Sequence, residues 1–246
     1  MTTSAKSKSK ASSTPAAEIL FGPKPAPGEK LLPRYTKQVR ILHWVTAVTW
    51  AILFITGLFL FVPVFGGAAQ GGVSTLLHHF AAIIVCLWAV YFFLRAPKAS
   101  INGMLFALKW GKDDIGWAKA ALGYYFFGKE DKMPPQDHMN TGQKLWWLIV
   151  LGCGALMVIT GALMMLLKGV IPQGAFMWAA TFHAIGMVAL FAMALVHVYL
   201  SVFHPKMRGI FWSMVNGMVS AHYAEGHHKK WYDEMMHHQK ETKGKK

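Results

Sequence analysis

Residues 176–203 read FMWAATFHAIGMVALFAMALVHVYLSVF and contain no Asp, Glu, Lys or Arg. A helix of about 20 apolar residues crosses the hydrocarbon core of a bilayer, so this stretch is long enough to span a membrane and protrude. Three more apolar stretches lie at about 41–63, 76–95 and 144–167. None of these stretches alternates polar and apolar residues as a β-barrel strand does. Helices would therefore satisfy the backbone hydrogen bonds inside the lipid. We predict an all-α membrane protein with a bundle of four transmembrane helices.

The composition supports a membrane location and excludes other classes of protein. Of the 246 residues, 54% are hydrophobic and 15% are charged, whereas soluble domains have about 25% charged residues. The net charge of +14 would suit nucleic acid, but long uncharged apolar runs do not suit a nucleic-acid-binding protein. With 10 Trp, 16 Phe and 15 Met, the chain is too apolar to be mainly disordered.

The basic residues predict the orientation of the bundle. Eight Lys or Arg residues lie in each of the segments 1–40, 95–144 and 201–246, whereas the two alternate connections contain only Lys168. Because cytoplasmic segments are enriched in Lys and Arg, we predict that both termini and the loop 96–143 are cytoplasmic. All 11 acidic residues lie on that side too, which argues against ion transport by carboxylates inside the membrane.

Three regions follow from these patterns. Residues 1–33 are rich in Lys, Ser, Ala and Pro and lack the apolar core of a signal peptide, so we predict a disordered basic tail. Residues 34–205 would form the transmembrane domain, with short amphipathic helices of loop 96–143 on the membrane surface. Residues 206–246 are predicted to form a basic amphipathic cytoplasmic segment.

The two cysteines limit the metal chemistry of the chain. Cys86 and Cys153 each lie alone in an apolar run, without a CxxC or CxxCH motif. Any haem would therefore be bound non-covalently, and any iron–sulfur or molybdenum centre would lie on another chain. A disulfide between the two stays open, although buried packing cysteines are commoner.

Five of the 12 histidines lie at membrane depth: His43, His78, His79, His183 and His197. An imidazole inside a bundle marks function by default, the alternative being a hydrogen bond across helices. His183 and His197 are 14 residues apart, so they share a helix face about 21 Å apart along the axis. Elsewhere, we expect His204 at the interface and six histidines solvated or near lipid headgroups: His138, His222, His227, His228, His237 and His238.

The predicted topology places the membrane histidines at two depths. The first helix starts near His43, level with His197, and the second starts on the other side near His78 and His79, level with His183. Two imidazole pairs at two depths predict two bis-histidine haems stacked across the bilayer and suited to electron transfer. Topology leaves the choice between His78 and His79 open. Five glycines would admit either a flat macrocycle or close helix packing: Gly57, Gly152, Gly154, Gly161 and Gly186.

Five motifs occur in a specific order: RILHW at 40–44, LLH at 76–78, NTGQK at 140–144, the pair His183 and His197, and HHKKWY at 227–232. In this order they resemble the cytochrome b556 (gamma) subunits of respiratory, membrane-bound formate dehydrogenases, over about residues 34–238. The sequence departs from the family at His79, where the family often has proline.

The resemblance implies a bacterial inner-membrane anchor that carries electrons to quinone. The family's subunit holds two haems b and receives electrons from a periplasmic iron–sulfur (beta) subunit, whereas formate is oxidised on a molybdenum or tungsten (alpha) subunit. The electrons reach menaquinone or ubiquinone near the cytoplasmic side. The implied ligands are His78 and His183 for the periplasm-side haem, and His43 and His197 for the cytoplasm-side haem.

The resemblance also implies a quinone pocket at Asn140, Gly142 and Gln143. The alternative for Asn140 is that it only caps the third transmembrane helix.

Two rival functions stay open. One is a di-haem anchor of the same architecture that serves a hydrogenase or another molybdopterin oxidoreductase, or a stand-alone b561-type quinone oxidoreductase. The other is a haem-free transporter or scaffold whose histidines bond across helices, which predicts a colourless purified protein. Membrane lipid and quinone are the expected non-protein partners, and nucleic acid is not.

Overall fold

The computed structural model describes residues 25–65, 72–95, 97–129 and 132–244. Its elements follow one another in chain order: β1 (Leu31–Pro33), α1 (Lys37–Phe61), α2 (Val73–Arg95), α3 (Pro97–Leu108), α4 (Lys112–Phe127), α5 (Thr141–Leu166), α6 (Gln173–Val198), α7 (Phe211–Asn216), β2 (Met218–Ser220), α8 (Ala221–His227) and α9 (Lys229–Gly244). Short 3-10 turns lie at Pro63–Phe65 and Arg208–Ile210, and a π-helical turn, Tyr199–Phe203, extends α6.

The prediction of four membrane-spanning helices is confirmed. Within the described residues, α1, α2, α5 and the combined helix Gln173–Phe203 are long and apolar enough to cross a membrane. All four helices begin three or four residues before the predicted apolar stretches, and polar caps account for the earlier start of α1 and α5. The Thr36 hydroxyl accepts a hydrogen bond from the Val39 N–H at 3.4 Å, and Asn140 caps α5 in the same way.

The four long helices pack as two hairpins. Helix α1 packs closely along α2, and α5 along α6, whereas backbone contacts between the two hairpins are sparse. We call the boundary between the hairpins the seam. Side chains, rather than closely packed backbones, therefore determine what the seam can hold.

The loop that joins the hairpins contains two helices, α3 and α4, that pack against α5. The Asp114 carboxylate accepts a hydrogen bond from the Gly111 N–H at 2.9 Å, which satisfies a free donor where α4 begins. Helix α4 ends at Gly128, whose φ of 68° is the left-handed conformation that favours glycine at this position.

The segments before α1 and after α6 form a small extramembrane cap, which comprises β1, β2, α8 and α9. Strand β1 pairs antiparallel with β2, with Leu31 opposite Ser220. Leu32 is fully buried in a core with Val219, Ala224 and Trp231.

The cap corrects the predicted extent of the disordered tail. Residues 31–33 form a strand, and residues 1–24 lie outside the described part of the chain. The prediction was wrong for the strand because its pairing partner lies at the other end of the sequence, where local composition gives no sign of it.

The cap is joined to the start of α1 at Gly217. Its carbonyl accepts hydrogen bonds from the backbone N–H groups of Arg34 (2.8 Å) and Tyr35 (3.1 Å). The φ of Gly217 is +88°, and a Cβ atom there would lie 2.7 Å from the Tyr35 carbonyl oxygen. Both the conformation and the space thus require glycine.

Candidate haem-binding site

Two pairs of imidazole rings face each other across the seam. The ring centroids of His43 and His197 are 6.3 Å apart with planes at 53°, and those of His78 and His183 are 6.3 Å apart with planes at 63°. Each pair joins one helix of the first hairpin to α6. Of the His78–His79 dipeptide, it is His78 whose ring faces His183.

The separation of the rings fits coordination of one iron between each pair. A metal–imidazole bond is about 2.0–2.1 Å and a ring nitrogen lies about 1.1 Å from its centroid, which gives roughly 6.3 Å across a shared metal. No three His, Cys, Asp or Glu residues of the described chain group together as a complete metal shell. Paired imidazoles are instead the pattern of axial ligands, with a porphyrin supplying the other four nitrogens. The residues present therefore fit haem b.

A threonine fixes the ring of His78. The hydroxyl oxygen of Thr56 lies 2.9 Å from His78 Nδ1 and 2.7 Å from the Ile52 carbonyl oxygen. A hydroxyl has one hydrogen, and the carbonyl can only accept. The Thr56 hydroxyl therefore donates to the backbone and accepts from His78 Nδ1–H, which leaves the lone pair of Nε2 available to a metal.

The same arrangement recurs at His183. The hydroxyl of Thr160 donates to the Leu156 carbonyl at 2.7 Å and lies 2.9 Å from His183 Nδ1. Sequence reasoning missed both threonines. The available signal was a short internal repeat, Ile-Thr-Gly at 55–57 and again at 159–161, which precedes the paired histidine by almost the same distance each time.

The glycines of the two repeats contact the same imidazoles. A Cβ atom on Gly57 would lie 3.3 Å from His78 Cε1, and one on Gly161 would lie 3.2 Å from His183 Cε1. Such contacts are tighter than side chains normally make. Each glycine therefore allows the ring to lie directly against the neighbouring helix.

The other pair is held by aromatic contacts. The Trp146 ring on α5 stacks on the His197 ring, with centroids 5.0 Å apart and planes at 7°. The Trp44 ring meets His43 edge-on at 5.0 Å, and its Nε1 donates to the Met214 carbonyl at 3.0 Å. The Nδ1 atom of His43 is buried and has no hydrogen-bond partner within the described residues. Sequence reasoning missed Trp146 as well.

The three residues assigned to a quinone pocket lie together where α5 begins. The Asn140 side-chain oxygen accepts from the Gln143 N–H, and Gln143 Oε1 accepts from the Asn140 N–H, both at 2.9 Å. A Cβ atom on Gly142 would lie 2.9 Å from the Trp117 ring. The capping role considered for Asn140 thus occurs, and it uses the amide oxygen but not the amide NH₂ group.

A buried ion pair lies beside this segment. Lys144 Nζ lies 2.9 and 3.0 Å from the two Asp114 carboxylate oxygens, and it donates to the Lys109 carbonyl at 2.8 Å. Burial favours the neutral acid, but hydrogen bonds from Lys144, Thr141 and Gly111 outweigh it and lower the pKa of Asp114. The pair fastens α4 to the first turn of α5, and sequence patterns did not predict it.

The cap contains a second buried polar cluster. His228 is 2% exposed, so the expectation that it is solvated was wrong. Its Nδ1 donates to the Asp137 carbonyl at 2.7 Å, and Nε2 lies 3.4 Å from an Arg34 guanidinium nitrogen. The guanidinium lies over the Trp231 ring at 4.5 Å. Burial and the nearby Arg34 lower the pKa of His228 well below its ordinary value and that of His138 to about 4.

The remaining histidines lie away from the seam pairs. His204 is 5% exposed, and its Nε2 lies 3.2 Å from the Tyr125 carbonyl, so it joins the end of α6 to α4. His227 is half-buried and bonds to the Tyr124 hydroxyl at 3.0 Å. Three are exposed as expected: His222, His237 and His238. Both cysteines, Cys86 and Cys153, are free thiols.

Comparison with known proteins defines the class. The sequence profile of the prokaryotic cytochrome b561 family matches residues 34–217, which include all four long helices and both imidazole pairs. The chain belongs to this family. It is a multi-pass membrane cytochrome b, and b-type haem follows from the family.

Individual relatives are more specific. The chain is 24% identical to the formate dehydrogenase cytochrome b556(fdo) subunit of Escherichia coli, over 82% of this chain and 92% of that protein. It is 27% identical to the formate dehydrogenase cytochrome b556 subunit of Haemophilus influenzae, over 82% of each. It is also 27% identical to a probable Ni/Fe-hydrogenase B-type cytochrome subunit of Rhodobacter capsulatus, over 76% of this chain and 79% of that protein. These matches confirm the resemblance inferred from the motifs.

Proposed function

We propose that the chain is the membrane-anchor cytochrome b subunit of a formate dehydrogenase. The facing imidazoles, repeated at two positions along α6 with the same 6.3 Å separation, support a two-haem membrane anchor. The observation that favours formate dehydrogenase as the partner is the similarity to its cytochrome b556 subunits over 82% of the chain. When bound, two haems b would pass single electrons from a partner iron–sulfur subunit to membrane quinone. The chain itself contributes ligands, helix packing and the quinone-facing segment.

We assign the axial ligands by pair. His78 and His183 hold the haem nearer the extracytoplasmic side, and His43 and His197 hold the haem nearer the cytoplasmic side. The orientation rests on the basic residues, of which all but Lys168 belong to the termini and the loop between the hairpins. The cap then faces the cytoplasm, and the catalytic and iron–sulfur subunits would dock on the opposite face.

We place the quinone near Asn140. Helix α5 carries Trp146 against the His197 ring, and Asn140 lies six residues earlier, about 9 Å along the helix axis. The Asn140 NH₂ group is not used by the cap and can donate to a quinone oxygen directly or through water.

A second candidate function is the anchor of a Ni/Fe-hydrogenase. The similarity to the Rhodobacter capsulatus subunit is the observation that favours it. The two functions share the haem sites and differ in the catalytic partner. Purifying the chain from native membranes with its associated subunits, and testing which of formate or hydrogen reduces its haem, separates them.

The ligand assignment is tested by removing one imidazole. His183→Ala should leave one of two haems b per chain, because His43 and His197 still hold the other. His79→Ala is the matched control and should keep both. Haem is quantified by optical spectroscopy against protein. Two haems in the His183 variant, or none in the wild-type protein, would contradict the assignment.

The quinone role of Asn140 is tested by a variant that keeps the cap. Ser caps a helix nearly as well as Asn but has no NH₂ group, so Asn140→Ser should retain both haems and α5. We expect slower reoxidation of reduced haem by a quinone analogue. Wild-type reoxidation in Asn140→Ser would restrict Asn140 to capping and place the pocket elsewhere.

A further inference from the structure

The repeated contacts at His78 and His183 form one structural unit used twice. In each hairpin, a Thr-Gly dipeptide on the first helix faces a histidine on the second. The threonine hydroxyl lies 2.9 Å from Nδ1 in both hairpins, and the missing glycine side chain leaves space for the Cε1 edge of the ring. The two rings held in this way face each other across the seam.

We propose that Thr56 and Thr160 are positioning residues for the imidazoles of His78 and His183, an inference that rests on these histidines being haem ligands. Each hydroxyl accepts the Nδ1 hydrogen and holds Nε2 as the unprotonated nitrogen. A hydrogen bond at Nδ1 also raises the basicity of the ligating nitrogen. The two threonines therefore set the redox potential of this haem as well as the direction of its ligands.

The structure favours this role over simple helix packing. Thr49 is equally buried on α1, and its hydroxyl donates to the Val45 carbonyl at 2.8 Å, as intramembrane threonines commonly do. A buried threonine that served only helix packing would therefore need no more than this bond to its own helix backbone, and no histidine. The additional contact with Nδ1 is what Thr56 and Thr160 share.

The second imidazole pair provides a contrast. His197 stacks on Trp146, and the buried Nδ1 of His43 has no hydrogen-bond partner in the described part of the chain. A stronger ligand stabilises ferric over ferrous iron, so the threonine bonds lower the potential of their own haem only. Their loss should raise that potential and leave the other unchanged.

The experiment compares isosteric and hydroxyl-retaining variants in the full-length protein. Thr56→Val and Thr160→Val remove the hydroxyl with little change of shape, Thr56→Ser and Thr160→Ser retain it, and Thr49→Val is the control. Redox titration followed optically gives both haem potentials. We expect each Val variant to raise the reduction potential of one haem by up to about 59 mV. For a one-electron couple, this corresponds to a loss of up to about tenfold in the preference for ferric over ferrous iron. The Ser variants and Thr49→Val should match the wild type.

Each outcome decides the proposal. Unchanged potentials in both Val variants, or equal shifts in the Val and Ser variants, would overturn it while leaving the ligand assignment intact. If a Val variant does not assemble, the wild-type protein is measured instead. Its redox-difference infrared spectrum contains a histidine ring band that depends on the hydrogen bond at Nδ1. Hydrogen-bonded Nδ1–H on one haem's ligands supports the proposal, and free Nδ1–H overturns it. A wild-type protein without haem would instead refute the proposed function.

Discussion

Replacing Asp114 by alanine should release helix α4 from α5. The Asp114 side chain is 9% exposed, and its carboxylate accepts hydrogen bonds from Gly111, Thr141 and Lys144 at 2.8–3.0 Å. Loss of the carboxylate leaves the charge of the Lys144 side chain, which is 8% exposed, buried without a counter-charge. Removing one member of a buried ion pair costs about 3–5 kcal/mol, far more than the pair contributes net, because the uncompensated charge stays desolvated.

The assay is hydrogen–deuterium exchange of the amides in residues 112–127, measured in lipid nanodiscs. Since 1.4 kcal/mol corresponds to a factor of ten, exchange there should accelerate about a hundredfold to a few thousandfold. Asp113→Ala is the matched control. Asp113 pairs with Lys230, but these side chains are 44% and 47% exposed, so their loss should cost less than about 1 kcal/mol.

A second variant separates the buried charge from the lost contacts. Asp114→Ala combined with Lys144→Met removes both charges and should recover much of the protection. Equal exchange in Asp114→Ala and Asp113→Ala, or no recovery in the double variant, would refute the reasoning.

Three further outcomes are expected. Gly161→Ala should displace the His183 ring by a few tenths of an ångström and reduce haem content, and wild-type content would contradict the close contact at 3.2 Å. Gly217→Ala should loosen the cap by about 1–3 kcal/mol, seen as faster proteolysis after α6, because its φ of +88° is strained for any side chain. The lowered pKa values of His228 in the cap and of His138, which packs against Trp231 of the cap, mean that below pH 6.5 the unfolded form of this region binds protons that the folded form does not. Cap stability, followed by Trp231 fluorescence, should therefore be complete above pH 6.5 and fall toward pH 4 by about 1.4 kcal/mol per pH unit per histidine; a flat profile would contradict this.

The features that could be predicted from the sequence are those that depend on local patterns, namely apolar length and helix period. Apolar length indicated the four long helices, and the helix period placed His183 and His197 on one face. The structure brings each of these two rings opposite its expected partner. Knowledge of the family selected His78 over His79, and the His78 ring is the one that faces His183.

The features missed depend on neighbours that local sequence does not reveal. Thr56 has the same residue type and backbone bond as Thr49, and only its position opposite a histidine distinguishes the two. At Asn140, one residue type suits both a helix cap and a quinone donor, so sequence alone does not choose between them. Arg34 and His228 meet only because two distant segments fold into one cap.

The β1–β2 pairing has a consequence for biosynthesis. Leu31 is synthesised about 190 residues before its partner Ser220. At a synthesis rate of about 5–20 residues per second, β2 is made about 10–40 seconds after β1. The core residues that bury Leu32 in the folded cap are also made only then, and pairing of the two strands joins the two ends of the helical bundle. Because β2 follows all four long helices in the chain, the cap can form only after these helices have been made. A chain interrupted before β2 would leave β1 unpaired and accessible to the cell's proteases.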